Sequence, residues 1–91
     1  MDDSKRTFVP NPDVAFRDIA GALVIVHPTA NRLLELNETG SAIWRLLDGR
    51  SVREISERIA LEFDVELSRA ETDVVEFLSY LAERGLVQEG Q

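Results

Sequence analysis

Leu34 and Leu36 flank Glu35 in a period-two alternation, the pattern of a strand with one face buried. Upstream, Val14-Ala15-Phe16-Arg17-Asp18-Ile19 reads as a strand, and Ala20-Gly21 as a turn. Ala22-Leu23-Val24-Ile25-Val26 is apolar on both faces, which predicts a central strand covered on both sides. His27-Pro28-Thr29-Ala30-Asn31 predicts the next turn. Strands are thus expected near residues 14–19, 22–27 and 32–36. Connections this short favour an antiparallel meander.

The period then changes to that of helices. Asn37 is a good N-cap, because its side-chain carbonyl can accept from a free N–H of the first turn. Ile43, Trp44, Leu46 and Leu47 give residues 38–47 an apolar face, and Asp48-Gly49 ends it. Trp44, the only tryptophan, is expected in the core, with the rest of the chain packed around its helix. Ser51 and Glu54 form a capping box for a second helix over 52–63, with Val52, Ile55, Ile59 and Phe63 on one face. Ser68 and Glu71 repeat the signal for a third helix over 69–84, stopped by Gly85. On its wheel Ala70, Val74, Val75, Leu78, Leu81 and Ala82 form the core face. Leu86 and Val87 are expected to pack back and the last four residues to fray.

Three strands followed by three helices predict an α+β domain, the helices on one face of a three-stranded antiparallel sheet. Residues 1–13 hold polar residues and two prolines and read as an extended, flexible arm, leaving 14–87 as the domain. Phe8 and Val9 are apolar enough to dock on a neighbouring surface or a second subunit. The arm and an open sheet edge leave room for a homodimer.

Composition narrows the function. Ninety-one residues, 44% of them hydrophobic, suit one small core. No cysteine is present, so thiolate metal sites, disulfides and a cysteine nucleophile are excluded. No run of 18 apolar residues and no signal-peptide pattern appears, so a soluble cytoplasmic protein is expected, with no membrane partner. The net charge of −7 argues against a nucleic-acid partner. His27, the only histidine, has no second histidine to share a metal or a proton and is read as structural. The carboxylates lie on solvent faces of helices with no pair marked out for acid–base work. Gly40 stands in a first helical turn, where anion binding and close backbone packing both fit; packing is the favoured reading. No cofactor is expected.

The third helix is more informative. Beside Phe77, at the edge of the core face, the wheel places Asp73, Tyr80 and Arg84 on one flank. A half-exposed ring among polar neighbours fits the wall of a peptide groove, although Phe77 fits the core as well.

The run LLELNETGSAIWRLLDGRSVREI, followed by ETDVVEFLSYLAERGLV, resembles the PqqD-like family, also known as the RiPP precursor-peptide recognition element. The shared pattern is Leu36-Asn37-x-Thr39-Gly40, Ile43-Trp44, Asp48-Gly49, Asp73-Val74 and Gly85-Leu86-Val87, in that order. The resemblance implies a winged helix-turn-helix-like arrangement and a groove between the third strand and third helix. A precursor's leader peptide would enter it as an added strand. Mapped onto this chain, the strand is Arg32, Leu33, Leu34, Glu35 and Leu36, and the helix wall is Asp73, Glu76, Phe77, Tyr80 and Arg84. The implied protein has no catalysis of its own. It presents the peptide to a modifying enzyme: a radical-SAM enzyme, a cyclase or a leader peptidase. Pyrroloquinoline-quinone, lasso-peptide and other pathways all use the module. The alternative is a winged-helix DNA-binding or regulatory protein, for which a third helix carrying Glu71, Asp73, Glu76 and Glu83 is poorly charged.

Overall fold

A computed structural model describes residues 3–27 and 32–90; the expected turn over 28–31 and the side chain of Arg32 lie outside it. In chain order a 3-10 turn (Asp3–Lys5) leads to β1 (Phe8–Pro10), β2 (Ala15–Ile19), β3 (Ala22–His27) and β4 (Arg32–Glu35). Helices α1 (Glu38–Arg45), α2 (Val52–Phe63) and α3 (Leu67–Glu83) follow, then β5 (Val87–Glu89). The antiparallel sheet β2-β3-β4 followed by three helices is the expected α+β arrangement. The winged helix-turn-helix likeness holds only loosely.

As expected, β3 is the central strand, with Ile25 opposite both Phe16 of β2 and Leu34 of β4. Leu23 and Ile25 point into the core at 2% and 0% exposure, whereas Val24 and Val26, on the other face, are only half-buried. Cover on both faces was the wrong inference from an all-apolar strand. Val24 and Val26 are shielded by cross-strand neighbours, Arg17 and Glu35 beside the first and Ala15 and Leu33 beside the second, instead of by another layer.

Local signals set the first two helices. The Asn37 side chain accepts from the Gly40 N–H at 2.8 Å, capping α1. Trp44 and Ile43 are buried behind that cap. At α2 both capping-box bonds form: Glu54 N–H donates to Ser51 Oγ at 3.2 Å, and Ser51 N–H donates to Glu54 Oε1 at 3.0 Å. The same signal at Ser68 and Glu71 does not cap α3. Asp64 reverses the chain in a left-handed conformation, so Glu66 becomes the N-cap and makes no side-chain cap bond. Ser68 is therefore already helical, its carbonyl accepting from the Thr72 hydroxyl at 3.1 Å, while Glu71 turns to Arg53 of α2 at 3.8 Å. The buried stripe of α3 is Ala70, Val74, Leu78 and Leu81, narrower than the wheel face: Val75 is half-buried and Ala82 exposed.

Gly85 ends α3 at φ +72°, a conformation that suits a residue without Cβ. Its N–H bonds to Ala82 O and that of Leu86 to Leu81 O, both at 3.0 Å, a Schellman pair that returns the chain over the core. Leu86 and Val87 are buried, as expected.

The two ends of the chain depart from expectation. Phe8–Pro10 is extended but engaged: β1 pairs antiparallel with β5, Val9 opposite Gln88. Phe8 is 1% exposed and belongs to the core, so the ordered fold begins before residue 14. Residues 88 and 89, expected to fray, form the other half of this small sheet. Arg6 secures it by donating from Nε to Glu89 at 2.8 Å and from Nη1 to Asp3 at 3.0 Å. The ion pair holds the Glu89 carboxyl below its ordinary value, chiefly through that hydrogen bond. Burying Phe8 is the physical reason an apparent arm becomes a strand, because a large ring removed from water offsets the entropy of ordering the segment.

Candidate functional site

Among the described residues β4 has one strand partner, β3, and its other edge is open. Leu36 N–H donates to Leu23 O at 2.8 Å, so in an antiparallel ladder the alternate residues, Leu33 and Glu35, turn their N–H and C=O groups to the open side. The ladder closes through Ser41 of α1, whose buried hydroxyl accepts from Leu23 N–H at 3.2 Å and donates to Leu36 O at 3.4 Å. That bridge locks β4 to β3 at one end and leaves the outer edge untouched.

Beside this edge lies a cleft of about 580 Å³ between the sheet and the last turns of α3. Ile25, His27, Leu33 and Leu34 line it from the strands, and Tyr80, Arg84 and Leu86 from the helix and its exit. The guanidinium of Arg84 stacks 3.6 Å from the centre of the Tyr80 ring, and its Nη1 donates to the Tyr80 carbonyl at 3.2 Å. Both side chains are exposed.

Of the residues singled out from the sequence, the structure thus brings Leu33, Leu34, Tyr80 and Arg84 together. Arg32 is in β4 opposite His27. Glu35 is exposed on the edge but lines a separate hollow with Gly21 and Asn37. Leu36 is 4% exposed and packs in the core. Asp73 is exposed one helical turn from Arg69, its partner at 3.5 Å. Glu76 faces a hollow shared with Asp3 and Ser4. Phe77 is half-buried against α1: a Cβ on Gly40 would lie 3.1 Å from the ring's Cζ. The close-packing account of Gly40 therefore holds. Ile25, His27 and Leu86 were not anticipated in the cleft. Period two along β3 held the signal for Ile25 and His27, which share a face with each other, Ile25 opposite Leu34.

No group of three or more His, Cys, Asp or Glu side chains able to hold a metal occurs among the described residues. Nor is any described helix long and apolar enough to cross a membrane.

Fold and site define a class: a small α+β domain with an open strand edge walled by a helix. The chain belongs to the PqqD family, matching the description Coenzyme PQQ synthesis protein D (PqqD) over residues 22–87. It is 34% identical over 58 residues to a PqqA binding protein of Xanthomonas campestris pv. campestris (strain B100), a match spanning 63% of each chain. Among solved structures it is similar to TbiB1 in complex with the TbiA(beta) leader peptide, with TM-score 0.82 and 30% identity, over 88% of this chain and 94% of that one. It is also similar to a lasso peptide synthetase B1 complexed with its leader peptide, with TM-score 0.80 and 27% identity, over 89% and 96% of the chains. The PqqD part of Methylobacterium extorquens PqqCD, described as a stand-alone RiPP recognition element, superposes with TM-score 0.74, covering 89% and 87%. At 23% identity that last likeness shows the fold.

Proposed function

We propose that this chain is a peptide-docking module that takes the leader of a ribosomally made precursor as a fourth strand beside β4 and performs no chemistry on it. The observation that carries this reading is the open backbone edge of β4, at Leu33 and Glu35, with a cleft beside Leu33 that Tyr80 and Arg84 wall. Main-chain bonds to the edge fix the register of an extended peptide, and the cleft selects its side chains. The two similar structures that hold leader peptides support the same use of the fold. A docked peptide is then handed to a modifying enzyme, a radical-SAM enzyme, a cyclase or a leader peptidase, in the cytoplasm where the precursor is made. Dimerisation belongs to the proposal in one form: β1, which closes onto β5 within the chain, exchanges between two copies without loss of pairing. Light scattering at several concentrations reads that state.

The deciding experiment is a search of the neighbouring genes for a short precursor, followed by an amide NMR titration with its leader peptide. Shifts gathered on residues 33–35 and 80–86 are the expected result. Shifts confined to α2 or the β2–β3 turn, or binding of duplex DNA at physiological salt in place of peptide, overturn it.

A further inference from the structure

The cleft also carries an unanswered charge. Among its described lining residues Arg84 is the only arginine or lysine, and none is a carboxylate. By contrast Arg69, within α3, is tied to Asp73, and Arg53 of the neighbouring α2 to Glu57 and Glu71. The described contacts of Arg84 are with the Tyr80 ring and carbonyl, and neither neutralises it. One Nη1 donor is used, leaving most of a planar five-donor fork available. The ring beneath holds the guanidinium in one plane, so little side-chain freedom is lost when an anion arrives.

Resting on the docking proposal above, we infer that the peptide this cleft accepts carries an Asp or Glu side chain read by Arg84, two positions from an apolar residue seated on Leu34, over the buried Ile25 and Leu86. The spacing follows from strand geometry. Alternate residues of an added strand face the same side, about 6.7 Å apart. One inward side chain meets the apolar floor, and the next on that side reaches the guanidinium. Asp73 would point to the opposite preference, a basic peptide, but its charge is already answered by Arg69 outside the cleft. The net charge of −7 repels an acidic peptide at long range. Selection for the carboxylate is therefore made in contact, by paired N–H···O bonds, and not by steering.

Selection of random 12-residue peptides displayed on phage tests this, with the full chain as bait in parallel with Arg84→Gln and Arg84→Glu. Arg84 is exposed at the C-cap of α3, so both variants are expected to fold, which their circular dichroism verifies. Wild type is expected to enrich Asp or Glu two residues from a Leu, Ile, Val or Phe. Arg84→Gln keeps the apolar preference and loses the acidic one, and Arg84→Glu replaces it with Lys or Arg. For one selected peptide, changing its Glu to Gln is expected to weaken binding about tenfold on wild type and less than about twofold on Arg84→Gln. Selected peptides that shift the Leu33 and Glu35 amides without acidic enrichment overturn the inference and leave the docking module standing. Acidic enrichment that survives Arg84→Gln also overturns it. A selection that yields no peptide, or only peptides that leave residues 33–35 unshifted, removes the docking proposal and the inference with it.

Discussion

Among the described strands the sheet ends in two unpaired edges, β2 and β4, and the cleft lies beside β4. Along β2 the outward backbone groups belong to Phe16 and Asp18, since the ladder to β3 engages the alternate residues. Side chains of α1 partly fill the space under that edge. Phe16 meets Trp44 edge-on at 5.6 Å between ring centres, and Arg45 of α1 pairs with Asp18. Asp18 also accepts from Gly21 N–H at 3.0 Å, fixing the hairpin. Under β4 the corresponding space is the cleft, with Tyr80 and Arg84 as its far wall. Unpaired backbone groups alone do not make a binding site. They occur wherever a sheet ends, and a neighbouring void of side-chain size distinguishes a receptor edge from a finished one.

Breaking the filled edge has the largest expected effect. Trp44 is 3% exposed, and Trp44→Ala removes a buried ring at a cost of about 3–5 kcal/mol, enough to unfold a domain this small. Urea denaturation measures it. A loss of less than about 1 kcal/mol means that the packing under β2 is not what anchors α1.

Next comes the β4 edge. Leu33→Pro removes an outward N–H without touching the β3–β4 ladder, since proline is tolerated on the free side of an edge strand. Peptide affinity is expected to fall about tenfold with little change in melting temperature, and Leu33→Ala separates the lost donor from the lost side chain. Hydrogen exchange sharpens the contrast: peptide should protect the amides of Leu33 and Glu35 and leave those of Phe16 and Asp18 unchanged. Equal protection of both edges would erase the distinction.

Phe16→Ala is a smaller change. The ring is half-exposed, so the loss is about 1 kcal/mol, mostly of its edge contact with Trp44, and peptide binding is expected to stay the same. Weakened binding would show that the two edges are coupled.

The smallest effect lies away from both edges, at β1–β5. Glu89 is held below its ordinary value of 4.5 by Arg6. A carboxylate depressed on folding contributes stability above that value and loses it as pH falls through the lowered one. Both partners are partly exposed, so Glu89→Gln is expected to cost only a few tenths of a kcal/mol at pH 7 and nothing in acid. Denaturation at pH 7 and pH 2.5 checks the sign. An equal loss at both pH values would assign the effect to packing.

What could be read along the chain was whatever near neighbours decide. Asn37 caps Gly40, Ser51 and Glu54 close a box, and the Schellman pair at Gly85 reaches back five residues. Strand and helix periods need only the pattern of apolar side chains. The Arg69–Asp73 spacing, four apart on one helix, was legible too, and would have removed Asp73 from the groove.

The sequence by itself determined the sheet-then-helix order, the central place of β3, the burial of Trp44 and the helix flank holding Tyr80 and Arg84. Tertiary structure decided the rest. Phe8 had a place in the core only because Val87 and Glu89 return to pair with β1 from the far end of the chain. Ser68 lost its cap to a reversal at Asp64, and Glu71 went to α2. The choice of β4 over β2 as the receptor edge had no local signature. Hydrogen bonds and side-chain periods are settled within a few residues, whereas a void is made by where the packing of distant elements stops.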